Sequence, residues 1–179
     1  ITTRLVGSEM CIRDRPNVVS YSRLLDRAMR ILGQRDHSRA ELARKLQQSA
    51  QRAAWAQKKE PEIVTEALLE QVLNWCQESG WLNDERFTER FIQSRSRKGF
   101  GSQRVRLELG QKGIDREAID LAMEETEVDW AACAAQLAER KFGHPLPTEW
   151  KEKAKVLRYL QSKGFMSEDI QSIFRNFDD

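Results

Sequence analysis

Scarcity defines this 179-residue chain first. It has only four prolines, so long helices can run without the breaks that a ring nitrogen imposes. Its three cysteines, Cys11, Cys76 and Cys133, are far apart and odd in number. That argues against a disulfide framework and points to reduced thiols in a cytoplasm. Only two histidines occur, His37 and His144, and there is no CxxC, so no zinc site is expected. No apolar run approaches the ~18 residues a membrane helix needs, and no basic, apolar and small-residue leader pattern is seen. A phosphate loop, a nucleophile elbow and a metal-spaced cluster are also missing, so the reading is of a protein without enzymatic activity or cofactor.

What is abundant is charge. Lys, Arg, Asp and Glu make up 32% of the chain, yet 30 basic and 28 acidic residues leave a net charge of only +2. Hydrophobic residues, at 40%, suffice for a core. The first fifteen residues, "ITTRLVGSEMCIRDR", carry no apolar periodicity and read like translated adapter or vector sequence. Residues 1–16 are therefore expected to be a non-native or disordered tail.

Beyond that tail the pattern is helical. Leu24, Ala28, Ile31 and Leu32 share one face. Ser38 and Glu41 have capping-box spacing, and Leu42 and Leu46 continue that helix. Residues 50–61 are polar, end at Pro61 and predict a loop, either throughout or after a frayed helical start. Ile63 to Ser79 predicts a helix with Ala67, Leu68, Val72 and Trp75 inward. Asn83 or Asp84 caps the next helix, which carries Phe87, Phe91 and Ile92 and ends at Gly99. Ser102 is expected to cap another. Val105, Leu107 and Leu109 alternate as in a strand, but the cap and the stop at Gly113 favour helix. Asp115 to Thr126 follows, with Ile119, Ala122 and Met123 on one side. Asp129 caps a helix through Phe142. Thr148 is expected to start one through Lys163 with Trp150, Ala154, Leu157 and Leu160 inward, and Ser167 a short last one with Ile170, Ile173 and Phe174.

Nine helices fall into three groups. "LGQKGIDREAI" (Leu109 to Ile119) matches "LQSKGFMSEDI" (Leu160 to Ile170), 51 residues later. The expected fold is all-α: three tandem three-helix repeats forming an elongated, curved helical array, with modules at 17–80, 81–128 and 129–179.

The charge is segregated. Residues 86–112 hold eight basic and two acidic side chains, whereas residues 113–129 hold one basic and seven acidic. A solubility surface would mix its signs; separation orients partners. The densest stretch is "SRSRKGFGSQRVR" (Ser94 to Arg106), where Arg95, Arg97, Lys98, Arg104 and Arg106 surround a Gly-Phe-Gly. Arginine forks suit phosphate or carboxylate, and Phe100 reads as a core plug or an exposed anchor. Arg23, Arg27 and Arg30 form a helical stripe, as do Arg86, Arg90 and Arg97. Lys151, Lys155 and Arg158 form another, and Lys112 follows the middle cluster. Any one stripe also fits a solvated face. His37 is read as a local capping residue and His144 as part of a "GHPLP" turn. Core packing is expected for Trp75, Trp81, Trp130 and Trp150, and exposure for Trp55.

Three longer stretches carry a resemblance. "YSRLLDRAMRILGQRDHSRAELARKL", "WCQESGWLNDERFTERFIQSRSRKGFGSQRVRLELGQKGI" and "VLRYLQSKGFMSEDI" resemble the RecX family, regulators of the RecA recombinase. The resemblance runs from about Tyr21 to the C-terminus. It implies three tandem three-helix repeats and no enzymatic activity. It also implies binding to RecA or to the RecA–DNA filament, with restraint of filament growth, strand exchange, RecA ATPase and the SOS co-protease. The chain is then expected to work as a monomer in the cytoplasm, away from membranes, with possible direct contact to DNA. The family has no catalytic motif to carry over. The residues assigned to the RecA or DNA contact are Arg86, Arg90, Arg95, Arg97 and Lys98, then Arg104, Arg106 and Lys112, and finally Lys151, Lys155 and Arg158. Two rivals fit the charge pattern: a plain nucleic-acid-binding helical protein, and a helical scaffold for an unrelated partner.

Overall fold

The computed structural model describes residues 17–57 and 62–175. The expected tail and the end of the predicted loop at 58–61 lie outside the described residues. The order is α1 (Tyr21–Leu32), α2 (Arg39–Gln57), α3 (Glu66–Glu78), α4 (Asp84–Arg97), α5 (Ser102–Gln111), α6 (Arg116–Glu125), α7 (Trp130–Phe142), α8 (Trp150–Ser162) and α9 (Ser167–Arg175). No strand occurs among the described residues. A single parallel bridge joins Val18 to Ile63, where Val19 N–H donates to the Ile63 carbonyl at 3.0 Å.

Each run of three helices encloses its own core. Leu24, Leu42, Leu46, Leu73 and Cys76 form the first. Phe87, Ile92, Val105, Leu109, Ile114 and Ile119 form the second. Ala134, Val156, Leu160, Phe165, Ile170 and Ile173 form the third. The architecture is thus an all-α array of three three-helix groups.

Local signals explain most helix starts. Asn83, Asp115 and Asp129 each accept a hydrogen bond from the backbone N–H three residues on, at 2.8–2.9 Å, satisfying donors left free at a first turn. Other starts differ from expectation. Ser38 Oγ accepts from Glu41 N–H at 3.1 Å, but the Glu41 carboxylate turns to Arg35 and Lys112 instead of back to Ser38, so only half a capping box forms. Gly101, not Ser102, is the cap of α5, and the Ser102 hydroxyl is buried without a partner among the described residues. Glu149, not Thr148, precedes α8, with no side-chain cap bond.

Three other expectations are corrected. The predicted loop after Ala50 is helical to Gln57, because Ala50 and Ala54 extend the buried Leu42 and Leu46 row and alanine favours helix. The core face of α3 is Leu69, Val72, Leu73 and Cys76; of the expected stripe, Val72 is in that core and Leu68 packs half-buried against it, whereas Ala67 and Trp75 are exposed. Both stripes contain Val72; packing on α1 and α2 selects the one with the small thiol. Trp75, Trp81 and Trp150 are exposed, Trp150 at 77%. Trp150 lies about a quarter turn from the Val156 and Leu160 row. Trp130 does pack on a core and Trp55 is exposed, as expected.

The internal sequence match marks the joints between groups. Gly113 and Gly164 follow the matching lysines with φ of 81° and 87°. At the first joint, Ser38 Oγ donates to the Lys112 carbonyl at 2.5 Å, and a Cβ on Gly113 would stand 2.3 Å from the Ala40 Cβ. At the second, Gly101 N–H donates to the Lys163 carbonyl at 2.9 Å and Gln103 N–H to the Gly164 carbonyl at 3.0 Å. Thus the Lys-Gly turn of each following group sits on the N-terminus of the preceding group's second helix, accepting from the Ser38 hydroxyl at the first joint and from two backbone N–H groups at the second.

Candidate partner interface

The structure divides the basic residues into those held within the fold and those left free. Arg86 reaches the Gly80 and Trp81 carbonyls at 3.2 and 3.3 Å and lies 3.6 Å from Asp36. Arg90 pairs with Asp36 at 2.5 Å, yet 64% of its side chain stays exposed. Arg95 and Arg104 share Glu108 at 2.8 and 3.0 Å. Arg106 pairs with Asp120, Lys112 with Glu41 at 2.9 Å, and Lys155 with Glu152 at 2.7 Å. Arg23 and Arg27 converge on Glu62.

Arg97, Lys98, Lys151 and Arg158 are exposed and have no ion-pair partner among the described residues. Arg97 and Lys98 line one hollow with Arg90, Gln93 and Ser94. Arg97 lines a second with Gln136, Glu139 and Arg140. The free charge therefore bridges the end of α4 and the end of α7. Lys151, Lys155 and Arg158 line neither hollow. Arg140 was missed in the sequence reading, although its place in the last turn of a helix was visible.

Phe100 is the plug between groups. It is half-buried against the middle core, with Arg95, Arg104 and Lys163 at 5.4, 5.1 and 5.6 Å from its ring centre. The ring thus gathers three cations around a single carboxylate, the Glu108 that Arg95 and Arg104 share. Lys163 was not assigned a role from sequence.

The first joint is electrostatically different. Glu41 is buried between Arg35 at 2.6 Å and Lys112 at 2.9 Å. Burial alone would raise its carboxyl, but hydrogen bonds from Arg35 and Lys112 overcome this and hold it at about 2. His37 is buried rather than capping, with Nδ1 2.8 Å from the Arg35 carbonyl and Nε2 2.8 Å from Lys45 Nζ. An ammonium can only donate, so Nε2 accepts and Nδ1 carries the proton. Burial pushes this ring below its usual pKa, in keeping with a neutral imidazole. His144, in the expected turn, lies 3.3 Å from Glu139.

Among the described residues no group of His, Cys, Asp and Glu is placed to hold a metal, and no helix is long and apolar enough to cross a membrane. The fold and surface define a helical-repeat protein with a charged, sign-segregated surface.

The chain belongs to the RecX family of regulatory proteins. A family model described as RecX, second three-helix domain, matches residues 83–123, and one described as RecX, third three-helix domain, matches residues 127–174. The chain is 53% identical over 163 residues to "Regulatory protein RecX" of Cronobacter sakazakii, covering 91% of this chain and 97% of the relative. It is 52% identical over 163 residues to the protein of that name in Serratia proteamaculans, covering 86% and 97%. Among solved structures it is similar to RecX from Lactobacillus salivarius, with a TM-score of 0.70 at 20% identity over 88% of this chain and 96% of that one.

Proposed function

We propose that this chain is a non-enzymatic regulator of RecA. It binds RecA or the RecA–DNA filament and restrains filament growth, strand exchange, RecA ATPase and SOS co-protease activity, so modulating recombination and DNA repair. It acts as a cytoplasmic monomer through three modules, at 17–80, 81–128 and 129–179. The observation that carries this reading is likeness to regulatory RecX proteins across 97% of their length. The exposed cations support the mode of contact: Arg97 and Lys98, with Arg140 beside them held only by a 3.4 Å hydrogen bond to the Gln136 carbonyl, can meet phosphate or an acidic protein surface without breaking an ion pair. Arg95, Arg104, Arg106 and Lys112 contribute field while committed to partners inside the fold.

The test is RecA filament assembly on single-stranded DNA, read by RecA ATPase. Wild-type protein is expected to lower the ATPase. Changing Arg97, Lys98 and Arg140 together to glutamate is expected to leave helical content unchanged and to weaken inhibition by about tenfold or more, since interface charges govern encounter and register. No effect of wild-type protein at any ratio would refute the RecA reading. Inhibition by the triple variant equal to wild type would remove this surface from it. Steep, salt-sensitive binding to naked DNA without any effect on RecA would favour the plain nucleic-acid-binding rival.

A further inference from the structure

Helix α4 separates two unlike surfaces. One side carries Arg90 and Arg97; the other carries Glu85 and Glu89 and faces α6 across a groove of about 620 Å³. Asp84, Glu85 and Glu89 line one wall, and Asp115, Glu125 and Glu127 the other, with no Lys, Arg or His among the lining residues. Asp84 and Asp115 are occupied by the N–H groups of Arg39 and Ala118. The other four carboxylates have no partner among the described residues. Between the walls lie Ala118, Leu121 and Ala122 with the buried Ile92 and Ile114 and the polar Thr88, Gln93 and Thr126, and Leu121 is 56% exposed. Ala118, Leu121, Ala122 and Glu125 follow i, i+3, i+4, i+7 spacing, so the lining runs about 10 Å along α6.

We propose that this groove receives a cationic amphipathic helix of a protein partner. Apolar side chains on one face would cover Leu121 and Ala118, while Lys or Arg on both flanks would meet Glu85 and Glu89 on one wall and Glu125 and Glu127 on the other. A mainly apolar floor between two helices, with charge on both rims, is the complement of such a helix. The same rims repel nucleic acid and anionic membranes. The groove therefore recognises protein, while the adjoining face of α4, across Gln93, offers cations. This deepens the proposed regulatory role and rests on it for the filament experiment alone.

Two measurements test the groove. The first uses a labelled Leu/Lys peptide of about four helical turns, with a Leu/Glu peptide as control, read by fluorescence anisotropy. The Leu/Lys peptide is expected to bind wild-type protein and to bind the E89K/E125K variant at least about tenfold more weakly. L121S is expected to weaken it as well. Binding that ignores these substitutions, or equal binding of the Leu/Glu peptide, would overturn the proposal. Sedimentation velocity is run alongside. A wild-type dimer dissociated by E89K/E125K would make the occupant a second copy and overturn a partner helix. The second measurement compares wild-type protein and E89K/E125K on RecA filaments and on naked DNA, with circular dichroism to confirm folding. The variant is expected to lose inhibition but keep any DNA binding. Equal inhibition by both proteins would sink the groove and leave the regulatory reading standing. No inhibition by wild-type protein would sink the regulatory reading, and the peptide result would then decide the groove by itself.

Discussion

Replacing Gly101 by alanine isolates what holds the second and third groups together. Gly101 has φ of −81° and ψ of 168°, a conformation any residue adopts, so no backbone strain enters. The difficulty is space. A Cβ there would stand 2.2 Å from the Phe165 nitrogen and 2.3 Å from the carbonyl carbon and oxygen of Gly164. These are backbone atoms that cannot rotate aside, so the joint must open. Opening threatens two hydrogen bonds, from Gly101 N–H to Lys163 and from Gln103 N–H to Gly164, at about 1 kcal/mol each. Overpacking adds about 1–3 kcal/mol. The expected loss is about 3–5 kcal/mol, or roughly 6–20 °C in Tm. Gly110 is the internal control. It lies within α5, and a Cβ there meets nothing within 4 Å, so Gly110→Ala is expected to gain about 0.5–1 kcal/mol from helix propensity. Thermal and urea unfolding followed by far-ultraviolet circular dichroism reads both variants. A loss below about 1 kcal/mol for Gly101→Ala, on the scale of an ordinary surface change, or equal shifts for the two variants, would refute the reasoning.

Two further outcomes are expected. Glu41 has a folded pKa near 2 against a usual 4.5, so the ionised form is favoured in the fold. Its stabilisation is complete above about pH 4.5 and is lost as pH falls toward 2; at neutral pH the displacement corresponds to about 3 kcal/mol. Glu41→Gln should flatten the acid limb of a Tm-against-pH curve, and an unchanged limb would show that Glu41 does not couple the first joint to pH. Trp150→Ala should cost within about 0.5 kcal/mol because the indole is exposed, whereas Leu160→Ala, in the third core, should cost about 2–5 kcal/mol; urea titrations giving similar losses would place Trp150 in a core after all.

Much of the fold was legible because helices announce themselves locally. Asn83, Asp115 and Asp129 cap where their side chains can reach a free N–H, and Gly80, Gly99, Gly113, Gly143 and Gly164 end helices with positive φ. Apolar rows such as Leu24, Ala28 and Leu32 set core faces by periodicity. The likeness of Leu109–Ile119 to Leu160–Ile170 was also legible, though not its purpose. Tertiary structure decided what needs a second element. A shift of one residue turns a helix face by about 100°, so only α1 and α2 could choose Leu69 and Cys76 over Ala67 and Trp75. The cations of "SRSRKGFGSQRVR" look alike in sequence, but ion pairing depends on carboxylates brought in by other turns and helices. Glu108 and Asp120 hold Arg95, Arg104 and Arg106 and leave Arg97 and Lys98 exposed. The acidic run likewise becomes a groove only because α6 packs beside α4. Sequence determines the sign of a segment's charge and the pitch of its helix; which charges remain free depends on neighbours across the joints, and those are set by packing.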